Sequence, residues 1–235
     1  MTAAAPPGPA ARHFLPFAVL DRALDSVFGP AGNPLRHLGA LGFYFFWIAV
    51  ASGLYLYVFF DTGVDGAYRS VERLTREQWY AGGVMRSLHR YSSDAFLAAV
   101  GLHFLKELAG RRFSGFRWFS WVSGVPLVPL ALASGIVGYW LVWDELAQFV
   151  AVATADWFGA LPALGGALTR NFIAPEAVSD RFFTLLVFLH VGIPLALLAG
   201  MFVHVQRVNY ADIAPARGLA GGTLAALLAL SVASP

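Results

Sequence analysis

Two stretches of this chain repeat one arrangement, and the repeat limits what the chain can fold into. Met85 to Lys106 reads MRSLHRYSSDAFLAAVGLHFLK, with His89 and His103 fourteen residues apart. Phe182 to Arg207 reads FFTLLVFLHVGIPLALLAGMFVHVQR, with His190 and His204 at the same spacing and in the same sense. Fourteen residues is just under four turns of α-helix, so the histidines of a pair share one face and stand roughly 21 Å apart along the axis. Two such helices side by side present two facing pairs of imidazoles.

The medium around those helices follows from composition. The chain is 58% hydrophobic and 13% charged, with mean hydropathy +0.63, which is too apolar for a soluble globular domain. An integral membrane protein of four spans is expected, near 38–60, 89–109, 118–143 and 182–206, each about the 20 residues a bilayer requires. The span at 89–109 is the polar one, with Arg90 and Asp94 at one end and Lys106 and Glu107 at the other. Charge inside a span is the mark of a working helix rather than an anchor. No basic run with interleaved aromatics occurs, so nucleic acid is not an expected partner.

A lone histidine in an apolar helix is more often a hydrogen-bonded packing residue than a ligand. Four at matched spacing would leave four imidazoles to satisfy where unpaired polar groups are costly. Imidazole suits iron, copper or zinc. Tetrahedral zinc needs four ligands at one point, and histidines about 21 Å apart along a helix cannot converge. A planar haem needs one axial ligand from each face, which two opposed helices supply. The pairing expected is His89 with His190 on one iron and His103 with His204 on the other. With no Cys in the chain, disulfides, thiolate catalysis, iron–sulfur ligation and thioether attachment are all excluded, so the expected cofactors are two non-covalent b haems. His13 and His37 fall outside the pattern and read as ordinary interfacial residues.

The glycines carry the same period. Gly39 and Gly53 in the first span, and Gly124 and Gly138 in the third, are each fourteen apart. Glycine lets a flat ligand or a backbone approach closely, so each could lie against a macrocycle edge, one level per haem. Small residues also serve ordinary helix packing in membranes. Pro126 and Pro129 are expected to bend the third span.

Residues 1–13, Ala/Pro-rich, read as a disordered tail without the pattern of a cleavable signal. From Phe14 to Phe28, apolar residues recur at helical spacing around Asp21, Arg22 and Asp25, as in an amphipathic helix lying at the membrane surface. Nine of the 16 Lys and Arg lie on the side of the N-terminus and the 111–117 loop, seven on the other. The positive-inside rule then places the N-terminus and the 111–117 loop in the cytoplasm, with His89 and His190 toward the outer face; the membrane expected is a bacterial inner membrane. Residues 144–181 read as one or two interfacial helices, either a lid over a haem edge or quinone headgroup or plain connection. The apolar run at 218–235 reads as a short fifth helix completed by packing on a partner, or as the start of a longer segment.

With these features assembled, the chain resembles the N-terminal, dihaem half of the cytochrome b family of quinol:cytochrome c oxidoreductases, over roughly residues 14–210. The resemblance rests on the four histidines, the paired glycines, the amphipathic helix, and the run Ser134-Gly135-Ile136-Val137-Gly138-Tyr139 followed by Trp143. It also rests on Pro194, four after His190, and on Arg86, which matches an arginine the family uses on a haem propionate. Equal spacing in both histidine pairs looks like the bacterial and mitochondrial type. The photosynthetic type has one extra residue in the second pair, and its additional covalent haem is ruled out here by the lack of Cys.

Several positions depart from the family. Its outer quinol site draws on a Pro-Glu-aromatic motif in the C-terminal half, whereas Pro175-Glu176 lies before span four. Asp144 stands where Gly is usual. Asn209 stands where many members have a histidine at the inner quinone site, and Arg181 lies about one turn too far from His190. Lys106 and Arg207, each three after an inner ligand, and Arg90 beside His89 are further candidates for propionates, or for snorkelling to the interface.

Three functions fit this sequence. The first is the dihaem membrane subunit of a respiratory or photosynthetic complex, moving electrons between the quinone pool and a c-type cytochrome, a Rieske protein or a peripheral dehydrogenase. The second is the N-terminal part of a split cytochrome b whose partner subunit supplies the C-terminal half. The third is a non-redox transporter or assembly protein with histidines in its core.

Overall fold

The computed structural model describes residues 15–159, 178–208 and 211–234, and all regular structure in them is helical. Helix α1 (Leu15–Gly32) carries the amphipathic pattern, and Gly29 breaks it with φ +70° just before Pro30. That is expected where proline disfavours helical geometry in the residue ahead of it. The chain then returns through a 3₁₀ turn (Pro34–Arg36) capped by Asn33, whose side chain accepts from Leu35 N–H at 2.9 Å. Buried Asn33 also donates to the Asp21 carbonyl at 3.1 Å and to Asp25 Oδ1 at 2.8 Å, which fixes α1 against the start of α2.

Helices α2 (Leu38–Phe59), α4 (Val84–Ala109) and α8 (Asp180–Val205), with α5 (Trp118–Gly124) and α6 (Leu127–Trp140) together, make four rods. Three of them, 38–59, 115–140 and 180–205, are long and apolar enough to cross a membrane by length and composition. The fourth, α4, has 26 residues, about 39 Å of helix, and carries the charges noted above. It begins earlier than its apolar run, leading out of a π-helical turn at Trp79–Gly83. Gly82 allows that turn, since a Cβ there would stand 2.7 Å from the Leu74 carbonyl oxygen.

The third rod has a break in its hydrogen-bonding at the expected prolines, with Val125 and Pro126 both in right-handed helical geometry. α5 ends at Gly124, Pro126 is the N-terminal flank of α6, and Pro129 falls within its first turn. Neither proline then removes an intrahelical bond, because the first four N–H groups of a helix have no partner within it.

The rods pair as α2 with α4 and as α5–α6 with α8, and α4 also touches α6. One apolar core joins the pairs, including Phe46, Phe96, Ala131 and Leu197. The amphipathic helix α3 (Ala67–Arg76) caps one end, and α7 (Glu145–Gly159) follows the third rod, its first turn receiving Asp144 Oδ1 on the Ala147 N–H at 2.7 Å. Trp143 turns the chain into α7 with φ +54°. The rest of the expected interfacial segment, 160–177, lies outside the described residues, as do Pro175-Glu176, His13 and Asn209.

Helix α9 (Arg217–Ala233) is the short apolar segment, and it packs on α4 of the same chain. Tyr44 Oη donates to the Ala220 carbonyl at 3.1 Å near its start, and Tyr91 Oη to the Ser234 carbonyl at 3.2 Å near its end. It therefore runs parallel to α2. Leu227 and Ser231 are buried in the contact.

Candidate functional site

The four histidines project between the two helix pairs. His89 and His190 face each other with ring centroids 6.1 Å apart and planes at 78°, and His103 and His204 do the same at 6.4 Å and 90°. Two imidazoles bound to one first-row metal from opposite sides, through bonds of about 2 Å, place their centroids roughly 6 Å apart. Both levels have that separation.

Each ring lies against one of the four glycines. A Cβ on Gly53 would stand 2.8 Å from His89 Cε1, and one on Gly124 would stand 2.8 Å from His204 Cε1. One on Gly138 would collide with His190 Cε1, whereas one on Gly39 would meet His103 Cε1 at an ordinary 3.7 Å. The glycines thus back the imidazoles, one to each ring. The shared fourteen-residue period follows from that contact: a glycine ladder on one helix must keep step with the histidine ladder it touches.

Two rings are tethered in one way. His89 Nδ1 lies 2.8 Å from the Ala49 carbonyl and His190 Nδ1 lies 3.1 Å from that of Ser134. In each case the acceptor is the residue four before the glycine that backs the ring. Ser52 Oγ (3.4 Å) and Ser123 Oγ (3.3 Å) add contacts to His89 and His204. An Nδ1–H bonded to a carbonyl fixes the tautomer and leaves Nε2 for a metal, the usual arrangement around metal-binding histidine. His103 is different. No hydrogen bond holds its ring among the described residues.

Between the two levels lies a dry layer that sequence reasoning missed. Phe46, Phe96, Ala131 and Leu197 each sit seven residues from both members of the glycine or histidine pair on their own helix. All four are buried, and the Phe46 and Phe96 rings are 5.8 Å apart. The signal was available: seven residues is close to two turns, so the midpoint of each ladder must face the same interior.

The charged candidates part company. Arg86, one turn before His89, donates to Thr75 Oγ1 at 2.9 Å and so leans toward α3. Lys106 is held by Asp21 at 3.0 Å and by the Leu35 carbonyl at 2.7 Å. The Arg207 guanidinium lies 5.0 Å from the centre of the Phe119 ring, and that of Arg90 lies 5.7 Å from the centre of the Tyr91 ring. His37 flanks the start of α2 and reaches Asp212 at 3.3 Å, tying α2 to the segment before α9.

Fold and site together define a helical membrane protein with two stacked levels of opposed imidazoles. The family model described as cytochrome b/b6/petB matches residues 30–211, and the chain belongs to that family. It is 28% identical over 181 residues to cytochrome b of Rhodospirillum rubrum, covering 75% of this chain and 44% of that protein. Similarity to cytochrome b6 of Gracilaria tenuistipitata var. liui is 27% over 193 residues, covering 82% of this chain and 89% of that one. Cytochrome b6 of Heliobacterium mobile is 27% identical over 177 residues, covering 75% and 83%. This is a b-type membrane cytochrome whose matched region spans less than half of the longer relative and most of the shorter ones. Helix α9 lies beyond the matched residues.

Proposed function

We propose that the chain carries two b haems, one between His89 and His190 and one between His103 and His204, and moves electrons through the membrane between the quinone pool and a partner redox protein. The observation that supports this is the duplicated site, with opposed imidazoles 6.1 and 6.4 Å apart at two levels of one bundle. When bound, haem supplies reversible one-electron chemistry.

The chain's own residues supply the rest. The histidines would hold the iron of each haem, and the Ala49 and Ser134 carbonyls orient two of them. Phe46, Phe96, Ala131 and Leu197 exclude water between the levels. Arg86 keeps donors beyond the one given to Thr75 and would hold a propionate at the His89 level, since guanidinium carries five. Lys106, already neutralised by Asp21, is a poorer propionate partner than its position suggests. The His89/His190 level is assigned to the outer face and the N-terminus to the cytoplasm.

A second reading rests on the similarity to cytochrome b6, of which the alignment spans 89% in one relative. In that reading the chain is the N-terminal part of a split cytochrome b, and a partner subunit brings the Pro-Glu-aromatic motif to complete a quinol site beside a c-type cytochrome or Rieske protein.

A pyridine haemochrome assay on the purified chain tests the main proposal: about two b haems per chain are expected, and a folded, haem-free protein would restore the non-redox reading. Identification of co-purifying subunits, and a search of them for the Pro-Glu-aromatic motif, separates the two redox readings.

A further inference from the structure

Asp94 is a charge that nothing in the bundle answers. It lies on α4 five residues after His89 and two before Phe96, about 3 Å along the axis from the dry layer between the two levels. That layer is deep in the membrane: Phe46, its member on α2, has at least eight residues of apolar helix on either side, or about 12 Å. The Asp94 side chain is exposed on the outside of the bundle, on a stripe that continues through Ala98, Leu102 and Leu105. No hydrogen bond or ion pair reaches it among the described residues. Arg90, one turn before it, turns its guanidinium to the Tyr91 ring instead. From this depth a carboxylate is too short to reach the headgroups as long basic side chains do. A charge held at mid-bilayer is costly, and in membrane helices it is met by pairing or by a water-filled cavity. Since Asp94 faces away from the bundle interior, what meets it comes from outside the chain.

We propose that this face of α4 is the docking surface for a transmembrane helix of another polypeptide, one that carries a Lys or Arg at the depth of Asp94. Charge complementarity selects that occupant. Lipid tails offer no counter-charge, and a second copy related by a two-fold axis along the membrane normal would set Asp94 beside Asp94 at equal depth. Close contact is open to the partner, because Ala98 presents only a methyl and a Cβ on Gly101 would meet nothing within 4 Å. Small residues of this kind let helix backbones approach in membranes. The inference uses the membrane placement of α4 and not the haem assignment.

The test uses cross-linking, since the chain has no Cys of its own. Ala98→Cys places one thiol on this face, and Ala199→Cys places one on exposed α8 surface at the same depth, two residues past Leu197 as Ala98 is two past Phe96. Each full-length variant is reconstituted in phosphatidylcholine vesicles with a Leu-rich transmembrane peptide that has Arg at its centre and Cys one turn away, or with the same peptide bearing Leu for Arg, and disulfide yield is measured. At position 98 the Arg peptide should cross-link about fivefold more than the Leu peptide, the scale of one interhelical polar contact. At position 199 the two peptides should be equal. Adding Asp94→Asn to Ala98→Cys should abolish the preference, and adding Arg90→Gln should leave it. Equal yields at position 98, or a preference that survives Asp94→Asn, overturn the inference. So does a preference seen only with Arg90→Gln, which would mean that Arg90 already meets Asp94, and so does cross-linking chiefly between two copies of the chain. Wild-type protein without a haem spectrum would strike the haem assignment and leave this inference to the cross-links.

Discussion

The two histidine levels use one plan but are not equally tight. At the His89/His190 level both rings are tethered to helix carbonyls and pressed on glycines that admit no methyl group. At the His103/His204 level neither ring has a carbonyl tether of that kind: His204 has the Ser123 hydroxyl at 3.3 Å and is pressed on Gly124, and His103 has room beside Gly39. The difference teaches that a duplicated sequence pattern can be built with unequal precision when one copy falls at a helix end. Gly39 is the second residue of α2, so the turn that should present its matching carbonyl is not helical.

The largest effect expected from breaking this comparison is loss of one level. His190→Ala or His89→Ala should remove about half of the haem absorbance and leave the other level's spectrum in place, because in the proposed pairing each haem takes one ligand from α4 and one from α8; equal loss at both levels would refute the pairing. Glycine substitutions come next. Gly53→Ala, Gly124→Ala and Gly138→Ala force a methyl into an imidazole and should weaken haem retention at the affected level by about 10–100-fold, the range seen when groups that orient a metal ligand are lost. Gly39→Ala should be nearly silent, and haem-transfer kinetics to an apo-acceptor would show the contrast. Phe96→Ala opens a void between the levels and should cost about 3 kcal/mol of stability, a figure drawn from buried aromatic truncations, with haem stoichiometry retained. Thermal unfolding in detergent measures it.

The smallest effect concerns the surface. Hydrogen bonds from Arg36, then from Asn33, lower the Asp25 carboxyl from its ordinary 3.8 to about 2. A depressed folded-state value means that this contact stabilises above pH 3.8 and is lost as pH falls through about 2. Asp25→Asn should therefore remove this small stabilisation at neutral pH and flatten the acid limb of an unfolding profile in that window.

Much of this was legible beforehand because it depends on periodicity. Apolar composition and the 14-residue histidine spacing implied membrane helices with aligned ligands, and the glycine ladders shared that period. The dry layer of Phe46, Phe96, Ala131 and Leu197 was equally periodic but went unread, since apolar residues in an apolar helix do not stand out. The prolines marked the junction of α5 and α6 in the sequence, but which helix turn each occupies is visible only in the structure.

What the sequence by itself determined is the set of faces: which residues align on one helix is fixed by 3.6 residues per turn whatever surrounds it. Only the tertiary structure decided which faces meet. It set each glycine against an imidazole, laid α9 on α4 of the same chain, and brought Asp21 to Lys106 across 85 residues. Those outcomes depend on packing between distant segments, which local periodicity constrains but does not specify.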